Sequence, residues 1–121
     1  MNSIKTHRDL DVWKKSVSLV TSIYEITKNF PKEEIYGLTN QIRRAAVSVP
    51  SNIAEGSARQ GNKEFIQFLY IALGSLTEIE TQLIIARNLN FLSEENFVSL
   101  MSTQKEIGKM LIGLIRYIKK K

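Results

Sequence analysis

The chain has no cysteine, one histidine, one tryptophan and only two prolines. Without cysteine there is no disulfide scaffold, no thiolate zinc site and no cysteine nucleophile. The single histidine, His7, sits near the start, and no Glu-x-x-His pair exists to build a metal site inside a helical bundle. No apolar run of signal-peptide length opens the sequence, and no window reads as the ~20 apolar residues of a membrane span. A cytoplasmic protein with no membrane partner is therefore expected.

What is present is a 121-residue chain with 43% hydrophobic residues, enough for one domain (1–121) with a real core. Residues 1–8 read as polar and loose. Seventeen Lys and Arg against twelve Asp and Glu leave a net charge of +5, which favours polyanionic partners or plain solubility.

Apolar residues recur at helical spacing throughout, and no stretch alternates as a strand does. Helix 1, capped by Asp9 or Asp11 and running to about Lys28, carries Val12, Trp13, Ser16, Leu19, Val20, Ile23, Tyr24 and Ile26 on one stripe. Pro31 with Glu33 and Glu34 supplies the first turn of helix 2, which ends around Gly56 to Ser57. On helix 2, Ile35, Leu38, Ile42, Ala45, Ala46, Val49 and Ile53 form the core stripe. Beside it run Tyr36, Arg43, Val47, Pro50 and Ala54, too apolar for plain solvent and too polar for a core. Pro50 removes one helical hydrogen bond, at ~3 kcal/mol in a regular interior, and predicts a kink near Ala46 to Pro50, with Ser48 and Ser51 able to satisfy freed groups. Two shorter helices broken at Ser48 to Pro50 are the alternative.

Ala58 to Asn62 is a short connection ending in a capping Asn62. Helix 3, about Lys63 to Leu89, faces inward with Phe65, Phe68, Leu69, Ala72, Leu76, Ile79, Leu83 and Ala86. A flanking strip of Ile66, Tyr70, Leu73, Thr77 and Ile84 widens its apolar arc to about 200 degrees, so this helix needs more than one partner. Ser93 caps helix 4, whose Phe97, Leu100, Ile107, Leu111, Leu114, Ile115 and Ile118 point inward. Its far side stacks Lys105, Lys109, Arg116 and Lys120 in one row, with only Glu106 nearby. Four long helices with short breaks predict an all-α, up-down-up-down antiparallel four-helix bundle.

Catalytic chemistry finds no foothold. Glu78 and Glu80, two apart on a helix, point to different faces and cannot share a proton. Ser16, Ser48 and Ser75 lack a histidine partner, and no glycine-rich loop opens onto a helix to hold phosphate. No enzyme activity, cofactor or metal is expected.

Three stretches resemble a known family: DLDVWKKS near the start, FPKEEIYGLTNQIRRAAVSVPSNIAEGSAR in helix 2 and KEFIQFLYIALGSLTEIETQL in helix 3. They are similar to the four-helix-bundle family of 23S rRNA intervening-sequence proteins, related to the accessory variability proteins of diversity-generating retroelements. The resemblance covers Asp9 to about Ile118. It implies a small bacterial cytosolic protein assembled as a homopentamer and, in the retroelement branch, a basic ring that binds nucleic acid and a reverse transcriptase. Arg43 and Arg44 are the basic positions within the matching motif.

Two functions follow as expectations. The first is sequence-tolerant binding of RNA or DNA phosphates through Arg44, Lys105, Lys109, Arg116 and Lys120. The second is a protein-interaction adapter, for example for a reverse transcriptase, with no nucleic-acid role. The bland reading of the cations is that those late in helix 4 suit its dipole, that Arg43 makes a subunit contact and that Arg44 is solvated. An oligomer interface is expected at Tyr36, Arg43, Val47, Ile66, Tyr70, Leu73 and Ile84.

Overall fold

The structure, a computed structural model, describes residues 6–121. Four helices account for most of them: α1 (Asp11–Thr27), α2 (Leu38–Ser57), α3 (Asn62–Asn88) and α4 (Glu94–Lys119), with 3-10 turns at His7–Asp9 and Lys32–Glu34. No strand occurs among the described residues. Each helix packs on its sequence neighbours, and α4 closes the ring against α1. The connections after α2 and α3 are too short to let consecutive helices run parallel, so the fold is an up-down-up-down bundle.

The core follows the stripes read from the sequence, except that Tyr24 of α1 stands exposed. Leu19 and Ile23 of α1, Ile42, Val49 and Ile53 of α2, Leu69, Leu76, Ile79 and Leu83 of α3, and Ile107 and Leu111 of α4 are almost wholly buried in one contiguous cluster. Some buried polar groups have partners: Ser16 and Thr27 each donate to a carbonyl one turn back, at 2.7 Å, and Gln104 Nε2 donates to the Leu76 carbonyl on α3 at 3.1 Å, whereas Thr39 Oγ1, Gln82 Oε1 and Gln104 Oε1 have none among the described residues.

Helix ends depart from expectation where a side chain has a nearer use. Asp9 does not cap α1. It accepts from the Thr6 amide at 3.1 Å while Thr6 Oγ1 accepts from Arg8, which closes a capping box round the preceding turn and leaves Leu10 as the N-cap of α1 without a side-chain bond. Residues 1–5 of the segment expected to be loose lie outside the described residues.

Helix 2 begins later than expected, at Leu38. The Glu34 carboxylate accepts from the Leu38 amide at 2.9 Å, and the chain between them forms a turn with Gly37 as N-cap. A Cβ at Gly37 would stand 2.8 Å from Glu34 Oε1, so the glycine leaves room for the capping carboxylate. Ile35 therefore leaves the core stripe and stands 48% exposed. At the start of α3, Gly61 and not Asn62 is the N-cap, because the Phe65 amide already bonds the Gly61 carbonyl at 3.1 Å.

Through Pro50 the helix is continuous, so two helices broken there are excluded. Pro50 itself is buried and does not belong to a flanking strip. Ser48 is held elsewhere, its hydroxyl 2.8 Å from that of Ser75 on α3 and accepting from Asn52 Nδ2 at 2.9 Å. The two helices come close at the end of α2, where a Cβ on Gly56 would meet Phe68 Cβ at 2.8 Å and Phe65 Cδ1 at 2.9 Å.

α3 ends in a Schellman motif: Asn90 takes a left-handed φ of 63°, the Phe91 amide reaches back to the Ala86 carbonyl at 2.9 Å and the Asn90 amide to Arg87 at 3.0 Å. Asparagine is among the few residues besides glycine that visit this conformation at modest cost. Ser93 then caps α4, accepting from the Asn96 amide at 3.1 Å.

Candidate nucleic-acid interface

The outer face of α4 carries the cationic row. Lys105, Lys109, Arg116 and Lys120 are all exposed, and the rise of a helix spreads them over about 22 Å. None of the four makes an ion pair among the described residues. Glu106, the acid nearest the row, is turned to α1, where Lys15 Nζ lies 3.2 Å from its Oε1. The row therefore keeps its charge. Exposed Ile112 and Gly113 occupy the gap between Lys109 and Arg116.

Arg43 and Arg44, neighbours in sequence, have separate surroundings. Arg43 is half-buried: its Nε donates to Thr27 Oγ1 at 2.9 Å, Nη2 reaches the Tyr24 carbonyl at 3.4 Å, and the guanidinium carbon lies 4.6 Å from the centre of the Tyr24 ring. Arg44 is exposed on a groove of about 370 Å³ between α2 and α3, lined also by Asn40, Gln41, Ser48, Glu78 and Gln82. It pairs with no acid among the described residues. Because α2 and α4 do not pack on each other, Arg44 and the α4 row are not one patch within a single subunit.

The residues expected at an oligomer interface are also divided. On α3, Tyr70 and Ile84 stand exposed, while Ile66 and Leu73 are half-buried against their own core. Val47 is exposed on α2. Tyr36, 92% exposed, belongs to the turn before α2 and not to the helical strip with Arg43 and Val47. The sequence reading missed Ile71 and Ile85, both exposed on α3. Between Tyr70 and Ile85 the exposed positions of this helix carry one charged side chain, Glu78. That composition makes α3 the one described helix long and apolar enough to cross a membrane, with a mean hydropathy of 1.3 over its best 18-residue window, against the expectation that no window would qualify. Its buried face, 39% of that window, supplies part of this, since α3 packs on both α2 and α4.

At the far end of α4 lie aromatic residues that the cationic pattern had left aside. Tyr117 and Tyr70 are about half exposed. Lys119 Nζ lies 3.5 Å from the Tyr70 hydroxyl and 5.8 Å from its ring centre, and Lys121 Nζ lies 5.1 Å from the ring centre of Tyr117. No group of three or more His, Cys, Asp or Glu converges among the described residues.

Fold and surface together define a small, basic, antiparallel four-helix bundle with one unopposed cationic helix face. The sequence profile of the 23S rRNA-intervening sequence protein family matches residues 8–113, and the chain belongs to that family. A crystal structure from Bacteroides thetaiotaomicron, described as a protein with unknown function from the S23 ribosomal protein family, is similar to it. The match covers 87% of this chain and 95% of that one, at 29% identity and a TM-score of 0.81. No curated protein matches the chain.

Proposed function

We propose that this protein is a non-enzymatic, cytoplasmic nucleic-acid-binding protein that holds the phosphate backbone of RNA or DNA and works as a homo-oligomer. The observation that carries the reading is the α4 row of four exposed cations with no acid paired to any of them among the described residues. Here the nearest acid is held away, and the field of the row is left to an external polyanion. The family description, which ties its members to an intervening sequence of 23S rRNA, agrees with such a ligand. Resemblance supplies the ring of five, and repetition around a ring would multiply the cationic faces.

Phosphate contacts of this kind are sequence-tolerant and release counterions, so affinity falls linearly with salt on logarithmic axes. Fluorescence anisotropy against two unrelated oligonucleotides at several salt concentrations tests the reading. Comparable affinities with a steep salt slope support it, and no binding at low salt overturns it.

A second reading rests on α3. Its exposed Tyr70, Ile71, Ile84 and Ile85 form an apolar face broken by a single charge, which suits a subunit contact or a protein partner better than water. An adapter, for example for a reverse transcriptase, would use this face and leave the cations idle. Co-purification from native cells with and without nuclease separates the two, because a partner retained after nuclease is held by protein contacts.

A further inference from the structure

The C-terminal turn of α4 presents cations and aromatic rings in a single band. Residues three and four apart on a helix are surface neighbours, so Lys119, Arg116, Lys120 and Tyr117 follow one another round the helix, each beside the next. Tyr70 of α3 extends the band at the Lys119 end, joined by the 3.5 Å contact between Lys119 Nζ and the tyrosine hydroxyl. At the other end Lys121 lies over the Tyr117 ring. Both residues are open to solvent, Tyr70 at 51% and Tyr117 at 46%. Neither ring is stacked on another aromatic among the described residues.

Duplex nucleic acid has no use for exposed rings, because its bases are already stacked on each other. Single strands do, since every base offers a π-face and a cationic track beside the rings holds the phosphates. We propose that this band is a binding site for single-stranded nucleic acid, with Arg116 and Lys120 on the phosphates and unpaired bases stacked on Tyr117 and Tyr70. The site rests on the phosphate-binding reading and adds to it a preference for unpaired strands. Lys119 and Lys121, held near the faces or edges of the rings, would move to the backbone as bases replace them.

Tyr117 carries the test, because Tyr70 is also part of the exposed α3 face. An oligo-uridine strand and an RNA duplex of equal length are titrated against the wild type and against Tyr117→Ala, Tyr117→Leu, Tyr117→Phe and Arg116→Ala. Circular dichroism and light scattering check that fold and mass are kept. The wild type is expected to favour the single strand. Tyr117→Ala and Tyr117→Leu should each weaken single-strand binding by about 5-fold or more, the lower end of what one stacked base contributes, with the salt slope and duplex binding unchanged. Tyr117→Phe should bind as the wild type does, and Arg116→Ala should weaken both ligands with a shallower slope. The leucine variant keeps apolar bulk, so it reads the ring alone should alanine loosen the helix end. An equal loss on strand and duplex, no loss on the strand, or a phenylalanine variant as weak as alanine overturns the stacking site. If Arg116→Ala still weakens both ligands, those results leave the phosphate reading standing, whereas a wild type that binds neither ligand overturns both.

Discussion

Arg43 and Thr27 are hydrogen-bonded, Nε to Oγ1 at 2.9 Å, and the bond ties the second turn of α2 to the last residue of α1. The same hydroxyl donates to the Ile23 carbonyl at 2.7 Å, so the guanidinium adds its charge where the α1 dipole is negative. Arg43→Ala is expected to cost about 1–2 kcal/mol, from a charged hydrogen bond and a ring contact in a half-exposed setting. Urea unfolding should show a lower midpoint at unchanged slope, with the oligomer mass in light scattering retained. Arg43→Lys should recover only part, because an ammonium cannot both stack and reach two oxygens as the fork does. A fall in mass without loss of stability would instead place Arg43 at a subunit contact.

Gly56→Ala is expected to destabilise by about 1–3 kcal/mol, although alanine is the better helix former, because its Cβ would lie within 3 Å of both Phe65 and Phe68 and must push α3 away. Gly108→Ala meets no atom within 4 Å and should stabilise by up to about 1 kcal/mol. Thermal unfolding of the two variants should move in opposite directions.

Leu76 is 2% exposed and Ile84 lies on the open side of the same helix. Leu76→Glu should abolish the cooperative transition by burying an unpaired charge. Ile84→Glu should keep the helical signal and, if the α3 face joins subunits, reduce the mass to that of a folded monomer. Leu73, the flanking-strip residue, is a poorer probe, because its half-burial against the core mixes the two effects. Unfolding of Ile84→Glu would show that this side of α3 is core and not contact surface.

Lys109→Ala should make the salt slope shallower by about 0.7–0.9 for each subunit whose Lys109 meets a phosphate. Arg44→Ala, on a helix that does not pack against α4, should change affinity less. An equal or larger effect of Arg44 would move the binding surface to the groove between α2 and α3.

The bundle and its core were legible because each depends on one helix at a time: a stripe every three or four residues shows which side is buried without any knowledge of the neighbour. Helix starts were less legible: Asp9 and Asn62 are acceptable caps by residue type yet cap neither α1 nor α3, and Glu34, read as a first-turn acid, instead accepts from the Leu38 amide ahead of α2. Arg43 could be placed off the core but not assigned a partner, because Thr27 meets it only once the α1 to α2 connection has folded back. Tyr117 was overlooked for a similar reason. On its own helix it breaks no pattern, and its bearing shows only beside the cations of the last turn and Tyr70 of α3.

The ion pair between Lys15 and Glu106 has a reach beyond the two helices it joins. As a surface pair it contributes little to stability, about 0–1 kcal/mol. Its larger effect is to park a carboxylate. Freed from Lys15, Glu106 sits one helical turn from Lys109 and next to Lys105, where it can lie across the cationic track as an internal competitor for any phosphate. A residue of α1 that need never touch the ligand would then set how strongly α4 attracts it. Lys15→Ala should weaken nucleic-acid binding while leaving the melting temperature almost unmoved, and Glu106→Gln in the same chain should restore it.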